Sequence, residues 1–265
     1  MAIPNTSSAL VNSEQRSSAI GAIKIGQADK NLCFIKAFQD VPLEVVNLLA
    51  QRCQWRFYKA SRPILRCGDN DREVYFIARG SVGINFFSFS GREISFRDLS
   101  TGDMFGELSA IDDHPRPTHT VALTDTVVAV MSSAIFWDLM DEQKPFRVAV
   151  LRKLSLHVRS LSERVIELST LSVPSRVRAE VLRLADTHAP GQDRAVIFPA
   201  PTHAAIASRI STGREAVTRE LNKLARAGII EKRGSTLIVR DVGRLSDLVG
   251  REDHTGDEYH SRLVG

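Results

Sequence analysis

Between Leu151 and Leu168 the apolar residues Leu151, Leu154, Val158, Leu161, Val165 and Leu168 step by 3, 4, 3, 4 and 3. Only a helix puts such a series on one stripe. The spacing is a heptad seam, with Val at two a positions and Leu at every d position. That choice favours a parallel two-stranded coil. The alternative is that the stripe packs on the chain's own body. The helix runs from about Pro145 to Leu171 and divides the chain into two differently written halves.

Upstream, Leu32, Ile35 and Phe38 step by three, a short helical reading. Pro42 suits the first turn of a second helix through Leu43, Val45, Val46, Leu48 and Leu49. Short β-rich runs follow at Val74–Ala78, Ser81–Phe87, Ile94–Leu99, Thr120–Leu123 and Thr126–Met131. Gly68, Gly80, Gly91 and Gly102 punctuate them, the pattern of a small antiparallel barrel or roll.

Downstream, Ser172-Val173-Pro174-Ser175 breaks the long helix and makes a hinge. A helix over Arg176–Thr187, a polar loop, two short helices and a hairpin over Gly228–Val239 complete this half. The helix pair reads THAAIASRISTGREAVTRELNKL from Thr202. Thr202 is an N-cap, and Ile206 and Ile210 form the buried face of the first helix. Ser211-Thr212-Gly213 makes the turn. Thr212-x-x-Glu215 has capping-box spacing for the second helix. Val217, Leu221 and Leu224 share one side of that helix, and Arg214, Glu215, Thr218, Arg219 and Asn222 the other. A polar face bearing Arg suits the DNA major groove, where Arg reads guanine and Glu accepts from cytosine. Glu215 is either cap or base reader.

Charge agrees with this division. Net charge is +4, but residues 171–240 hold twelve Lys or Arg against six Asp or Glu, which leaves −2 for the rest. A basic segment beside a slightly acidic body points to a polyanion-binding module. No apolar run approaches eighteen residues, so no membrane helix is expected. The polar stretch from Met1 to Gln27 does not read as a secretory signal. Cys33, Cys53 and Cys67 fit neither a disulfide framework nor a zinc site, so a cytoplasmic protein with reduced thiols and no metal is expected. There is no H-E-x-x-H, Walker loop or nucleophile elbow, and thus no catalytic residue to name.

One further stretch carries chemistry. Gly106-Glu107-Leu108-Ser109-Ala110 can open a short helix whose free N–H groups take an anion. Glu107 can accept from a sugar hydroxyl, and Arg116 can set a fixed cation against a phosphate. The plain alternative is a surface acid with Arg116 as its ion-pair partner.

Three segments carry a resemblance: Ile64–Asp69, Tyr75–Val82, and Phe105-Gly106-Glu107-Leu108 with Pro115-Arg116. Together they look like the cyclic-nucleotide-binding β-roll. With the long helix and the helix pair behind it, residues 32–245 resemble the cyclic-AMP receptor protein and fumarate-nitrate regulator superfamily of bacterial transcription regulators. The resemblance implies an α+β chain. It has an antiparallel β-roll sensor domain at 31–144 and a dimerisation helix at 145–171, behind a stretch at 1–30 whose Ser, Ala and Asn without a sustained period read as a flexible arm. A winged helix-turn-helix domain at 172–250 follows, and the charged stretch at 251–265 reads as a flexible tail. It implies a homodimer that couples a cyclic nucleotide, cAMP or cGMP, to double-stranded DNA, with RNA polymerase as a partner. Gly106 and Glu107 match the ribose-and-phosphate turn, with Leu108 beside them in the ligand site, Arg116 the phosphate-binding Arg, and Ser162 a Ser of the long helix. Arg214, Glu215 and Arg219 match the base-reading trio for TGTGA-type half-sites, with Thr202, Ser211, Thr212 and Thr218 beside them.

Two positions depart from the pattern. Pro117 follows Arg116 where binders supply a backbone N–H, which proline lacks; Thr118 or Thr120 is the available substitute. Leu161 stands where cyclic-AMP binders carry a Thr facing the purine. Three scattered cysteines do not suit the iron–sulfur branch, and His114 and His119 read as loop residues rather than haem ligands. A different effector or ligand-independent DNA binding is therefore the alternative. A nucleotide-sensing subunit acting on a protein partner is disfavoured by the Arg214/Glu215/Arg219 face.

Overall fold

A computed structural model of the chain describes residues 25–26, 29–87 and 93–250. Most of the arm expected at 1–30, the tail expected at 251–265 and the Gly91 turn lie outside the described residues. Two four-stranded antiparallel sheets form the first half. One has the order β1 (Gln54–Tyr58), β8 (Thr126–Met131), β3 (Val74–Arg79), β6 (Met104–Phe105). The other has the order β2 (Pro63–Leu65), β7 (His119–Ala122), β4 (Ser81–Phe87), β5 (Glu93–Ser100). Between them pack Tyr75, Ile77, Val82, Leu99, Phe105, Val128 and Val130.

The first sheet is buried on both faces, which explains the near-continuous apolar text of β3 and β8. Val74, Phe76, Ala129 and Met131 point the other way, into a second core. That core takes in α1 (Leu43–Arg52), α3 (Ser133–Glu142) and the start of α4 (Lys144–Thr170). Phe146 of α4 stacks on Phe38 at 5.2 Å and meets Phe136 edge-on at 5.7 Å, while Phe38 lies 5.0 Å from Phe76. These rings anchor the root of α4 to the roll. The residues Leu32 to Phe38 do not form the helix expected of them. They make turns and a single 3-10 turn at Lys36–Phe38, with Leu32, Ile35 and Phe38 all buried.

Beyond its first turns α4 touches the roll along one side only, through Lys153, His157 and Arg164. Only Phe146 and Val150 are buried along its 27 residues. Leu154 packs at the edge of the second core, but Leu151, Val158, Leu161, Val165 and Leu168 are exposed. The chain therefore offers most of the heptad stripe no partner of its own. α4 ends at Thr170. After Leu171, α5 (Val173–His188) begins, with Ser172 accepting the Ser175 N–H at 3.3 Å and Pro174 in the first turn.

The last part has its own core of Val177, Val181, Ile206, Val217, Leu221, Leu224 and Val239. It contains α6 (His203–Arg209), α7 (Arg214–Arg226) and α8 (Val242–Gly250). The expected hairpin is β10 (Ile230–Arg233) with β11 (Thr236–Val239), and a third strand, β9 (Ala195–Ile197), joins its edge. Arg178 of α5 and Glu220 of α7 form an ion pair at 2.7 Å inside this unit, both 5% exposed.

Polar contacts fasten the two halves together. Arg164 of α4 donates to Ser95 O and to Arg209 O, each at 3.1 Å. Ser95 N–H donates to Ser208 Oγ at 2.9 Å. Arg209 reaches both Asp98 of β5 and Glu180 of α5.

Candidate functional site

The turn after β6 is built on Gly106, which sits at φ +83° where an L side chain is strained. A Cβ there would lie 2.8 Å from Arg116 Nη1 and 3.0 Å from Glu73 O. Gly106→Ala is accordingly expected to lower stability by more than about 1 kcal/mol. A thermal melt reads this directly; an unchanged melting temperature would show that the turn can relax.

From this turn α2 (Glu107–Asp112) starts with Glu107 almost fully buried. Neither Glu107 nor Arg116 is a surface residue, and they do not pair with each other. Lys153 of α4 grips Glu107. Arg116, 2% exposed, is held by Asp71, with Nε donating to Oδ2 at 3.1 Å and Nη2 to Oδ1. Nη2 also donates to Glu73 O at 2.7 Å and Nη1 to Gly106 O at 2.6 Å. The guanidinium lies 5.8 Å above the Tyr75 ring.

A cavity of about 270 Å³ opens beside these groups. Gly106, Glu107, Leu108, Arg116, Pro117, Thr118 and Leu161 all line it, together with Thr120. Ser162 is outside the lining, and its hydroxyl donates to Val158 O at 3.0 Å. The sequence reading missed Arg97 of β5 and His157 of α4, which also line the cavity, and Lys153 behind Glu107. Lys153, His157 and Leu161 recur at i, i+4 and i+8, a helical stripe that could have been found. Burial lowers the pKa of Lys153, and Glu107 partly offsets this. Burial lowers that of His157 too, helped by the nearby charges of Arg97 and Lys153.

His119 accepts the Cys67 N–H at 3.3 Å, and His114 lies at the surface beside Asp112. Among the described residues no group of three or more His, Cys, Asp or Glu is placed to hold a metal.

The second site is an open groove on α7, lined by Arg214, Glu215, Thr218, Arg219, Asn222 and Arg226. α6 begins as expected, with Thr202 Oγ1 accepting the Ala205 N–H at 3.0 Å. The capping box does not form. α7 starts at Arg214 with Gly213 as its N-cap and no side-chain cap bond. Thr212 instead belongs to the turn, its N–H donating to Ala207 O, after Ser211 at φ +53°. Glu215 is thereby left in the groove. His203, another residue the sequence reading missed, meets Thr218 Oγ1 at 2.7 Å through Nδ1. Its pKa is lowered by burial and by Lys232 and Arg214. No described helix is long and apolar enough to cross a membrane.

Two families match the chain, the cyclic nucleotide-binding domain over residues 55–143 and the Crp-like helix-turn-helix domain over residues 175–248. The cAMP-activated global transcriptional regulator Vfr of Pseudomonas aeruginosa is 28% identical over 206 residues, which is 74% of this chain and 94% of Vfr. The Cyclic AMP receptor protein of Thermus thermophilus is 28% identical over 214 residues, 80% of this chain and 95% of the relative. Among solved structures, a CooA mutant from Carboxydothermus hydrogenoformans aligns with a TM-score of 0.68 at 19% identity. It covers 78% of this chain and 94% of its own. The c-di-GMP responsive regulator CLP of Xanthomonas campestris aligns at 0.65 and 19% identity, over 75% of this chain and 99% of its own. These two likenesses concern the fold. With a nucleotide-binding roll followed by a Crp-like reading head, the chain belongs to the cyclic-AMP receptor protein and fumarate-nitrate regulator superfamily of DNA-binding transcription regulators.

Proposed function

We propose that the chain is a homodimeric, sequence-specific transcription regulator. A cyclic nucleotide, cAMP or cGMP, in the roll cavity governs its binding to TGTGA-type inverted repeats. The observation that carries this reading is the double use of α4. One stripe, with His157 and Leu161, walls the cavity, and Lys153 reaches in to Glu107. The next stripe, with Leu151, Val158, Val165 and Leu168, is exposed for a second copy. A ligand that shifts the first stripe must shift the second, and with it the helices that carry α7. The matched relatives that are named for activation by cAMP support the nucleotide. RNA polymerase is the expected protein partner and the cytoplasm the expected compartment.

The cavity fits a mononucleotide in kind. It is near the small end of ligand pockets, about 300–1,000 Å³. Its lining includes hydroxyls at Thr118 and Thr120 and cations at Arg97 and Arg116. The second reading, DNA binding without an effector, is favoured by one observation. Glu107 and Arg116 already have partners within the chain.

Fluorescence anisotropy on a labelled TGTGA-type inverted repeat decides between them. It is run at fixed salt, because salt alone moves such affinities by orders of magnitude. Tightening of the specific duplex by cAMP or cGMP, but not of a scrambled one, is the expected result. Specific binding indifferent to both nucleotides would favour the second reading. In the same assay Arg214→Ala is expected to cost about 1–3 kcal/mol and to relax specificity at one base pair. Equal weakening on every sequence would make Arg214 a phosphate contact.

A further inference from the structure

Among the described residues two buried side-chain polar atoms have no hydrogen-bond partner, Ser109 Oγ and Arg176 Nε. Of the two, Ser109 lines the roll cavity, and it is 1% exposed. A buried hydroxyl without a partner is costly, and folded proteins leave few of them. The local geometry explains this one. A serine inside a helix can donate to the carbonyl one turn back. Ser155, Ser162, Ser169 and Thr170 of α4 all do so, at 2.8 to 3.0 Å. Ser109 is the third residue of α2, and the residue four before it, Phe105, belongs to β6. The helix therefore offers this hydroxyl no carbonyl one turn back.

We propose that the Ser109 hydroxyl donates to the phosphate of the effector and takes the place of the N–H that Pro117 lacks. This inference rests on the effector reading above and deepens it. Gly106, Ser109, Arg116 and Pro117 line one cavity. Arg116 Nη1 donates to Gly106 O at 2.6 Å, which ties the turn before α2 to the arginine. Ser109 follows that carbonyl within a single helical turn. Its proton has no acceptor among the described residues, so the ligand must bring one. A charged phosphodiester oxygen is the strongest acceptor that a cyclic nucleotide carries. Thr118 and Thr120 line the cavity too, but neither hydroxyl is among the buried atoms left without a partner.

This role has a signature that a structural serine would not show. The hydroxyl is satisfied only when ligand is bound. Its removal therefore weakens binding without weakening the unliganded fold, because it also removes a buried group that nothing satisfies.

The test is calorimetric titration of the full chain with cAMP and cGMP. The 2′-deoxy analogue and the two phosphorothioate diastereomers of whichever nucleotide binds are titrated alongside. The wild type is compared with Ser109→Ala and with a chain carrying both Ser109→Ala and Pro117→Ala. Ser109→Ala is expected to weaken cyclic-nucleotide binding about tenfold. Sulfur accepts a hydrogen bond less well than oxygen. The penalty for sulfur at one of the two exocyclic positions should therefore shrink in Ser109→Ala, while the 2′-deoxy penalty persists. Adding Pro117→Ala restores an N–H and should recover part of the loss. Without nucleotide, the melting temperature of Ser109→Ala should not fall. Unchanged affinity in Ser109→Ala, undiminished sulfur penalties or a lower unliganded melting temperature would overturn the proposal. A 2′-deoxy penalty that shrinks instead would give the hydroxyl to the sugar. No recovery with Pro117→Ala would overturn the exchange between the two positions. If neither cyclic nucleotide binds the wild type, the effector reading itself fails and this inference with it.

Discussion

A chain carrying both Val158→Glu and Val165→Glu is expected to be a monomer that has lost much of its preference for its operator over other DNA. Both valines are 62% exposed, and both occupy a positions of the seam. In a parallel dimer each would face its own counterpart. Two pairs of carboxylates would then be forced together in place of two apolar contacts. One reading head on one half-site keeps only half of the base contacts. Specific binding normally exceeds non-specific binding by about 10³–10⁷, and half of that free energy is a factor of about 30 to 3,000, so the loss should be at least about thirtyfold. Sedimentation gives the association state and anisotropy the affinity, while circular dichroism verifies that α4 persists. A dimer that survives both substitutions would place the interface elsewhere.

The second large effect is on stability. Glu220→Leu is expected to destabilise the C-terminal unit by about 3–5 kcal/mol, because it removes the carboxylate paired with the buried Arg178 cation. Adding Arg178→Met should restore most of that loss, since a buried ion pair and a well-packed apolar pair are often close in energy. Urea unfolding of both single variants and the double variant measures this. A single substitution that costs under about 1 kcal/mol would mean that water reaches Arg178.

Much of this architecture is written locally. The valine- and isoleucine-rich runs of β3, β4, β7 and β8 announce strands because β-branched residues between glycine turns have few alternatives. The face of α7 is legible because Val217, Leu221 and Leu224 repeat at helical spacing. What escaped was decided by tertiary contact. β9 is three residues that become a strand only by pairing with β11. Thr212 has the right residue type and spacing for a capping box, but the turn takes its N–H and Gly213 caps the helix. In the cavity, the residue types at Glu107 and Arg116 were visible, and their partners were not. Asp71 and Lys153 lie 45 and 46 residues away, and no local pattern announces an ion pair across that distance.

The contact between Arg209 and Asp98 joins the reading head to the roll through side chains that are 16% and 39% exposed. A half-exposed ion pair is weakened by dissolved electrolyte. So is every attraction between the basic segment and phosphate. Ionic strength therefore acts on this protein twice, once at the DNA and once at the strap that fixes where α6 and α7 point. The slope of log affinity against log salt will not simply count phosphate contacts. It will also contain the freeing of the head from β5, and comparing the slopes of the wild type and Asp98→Asn separates the two.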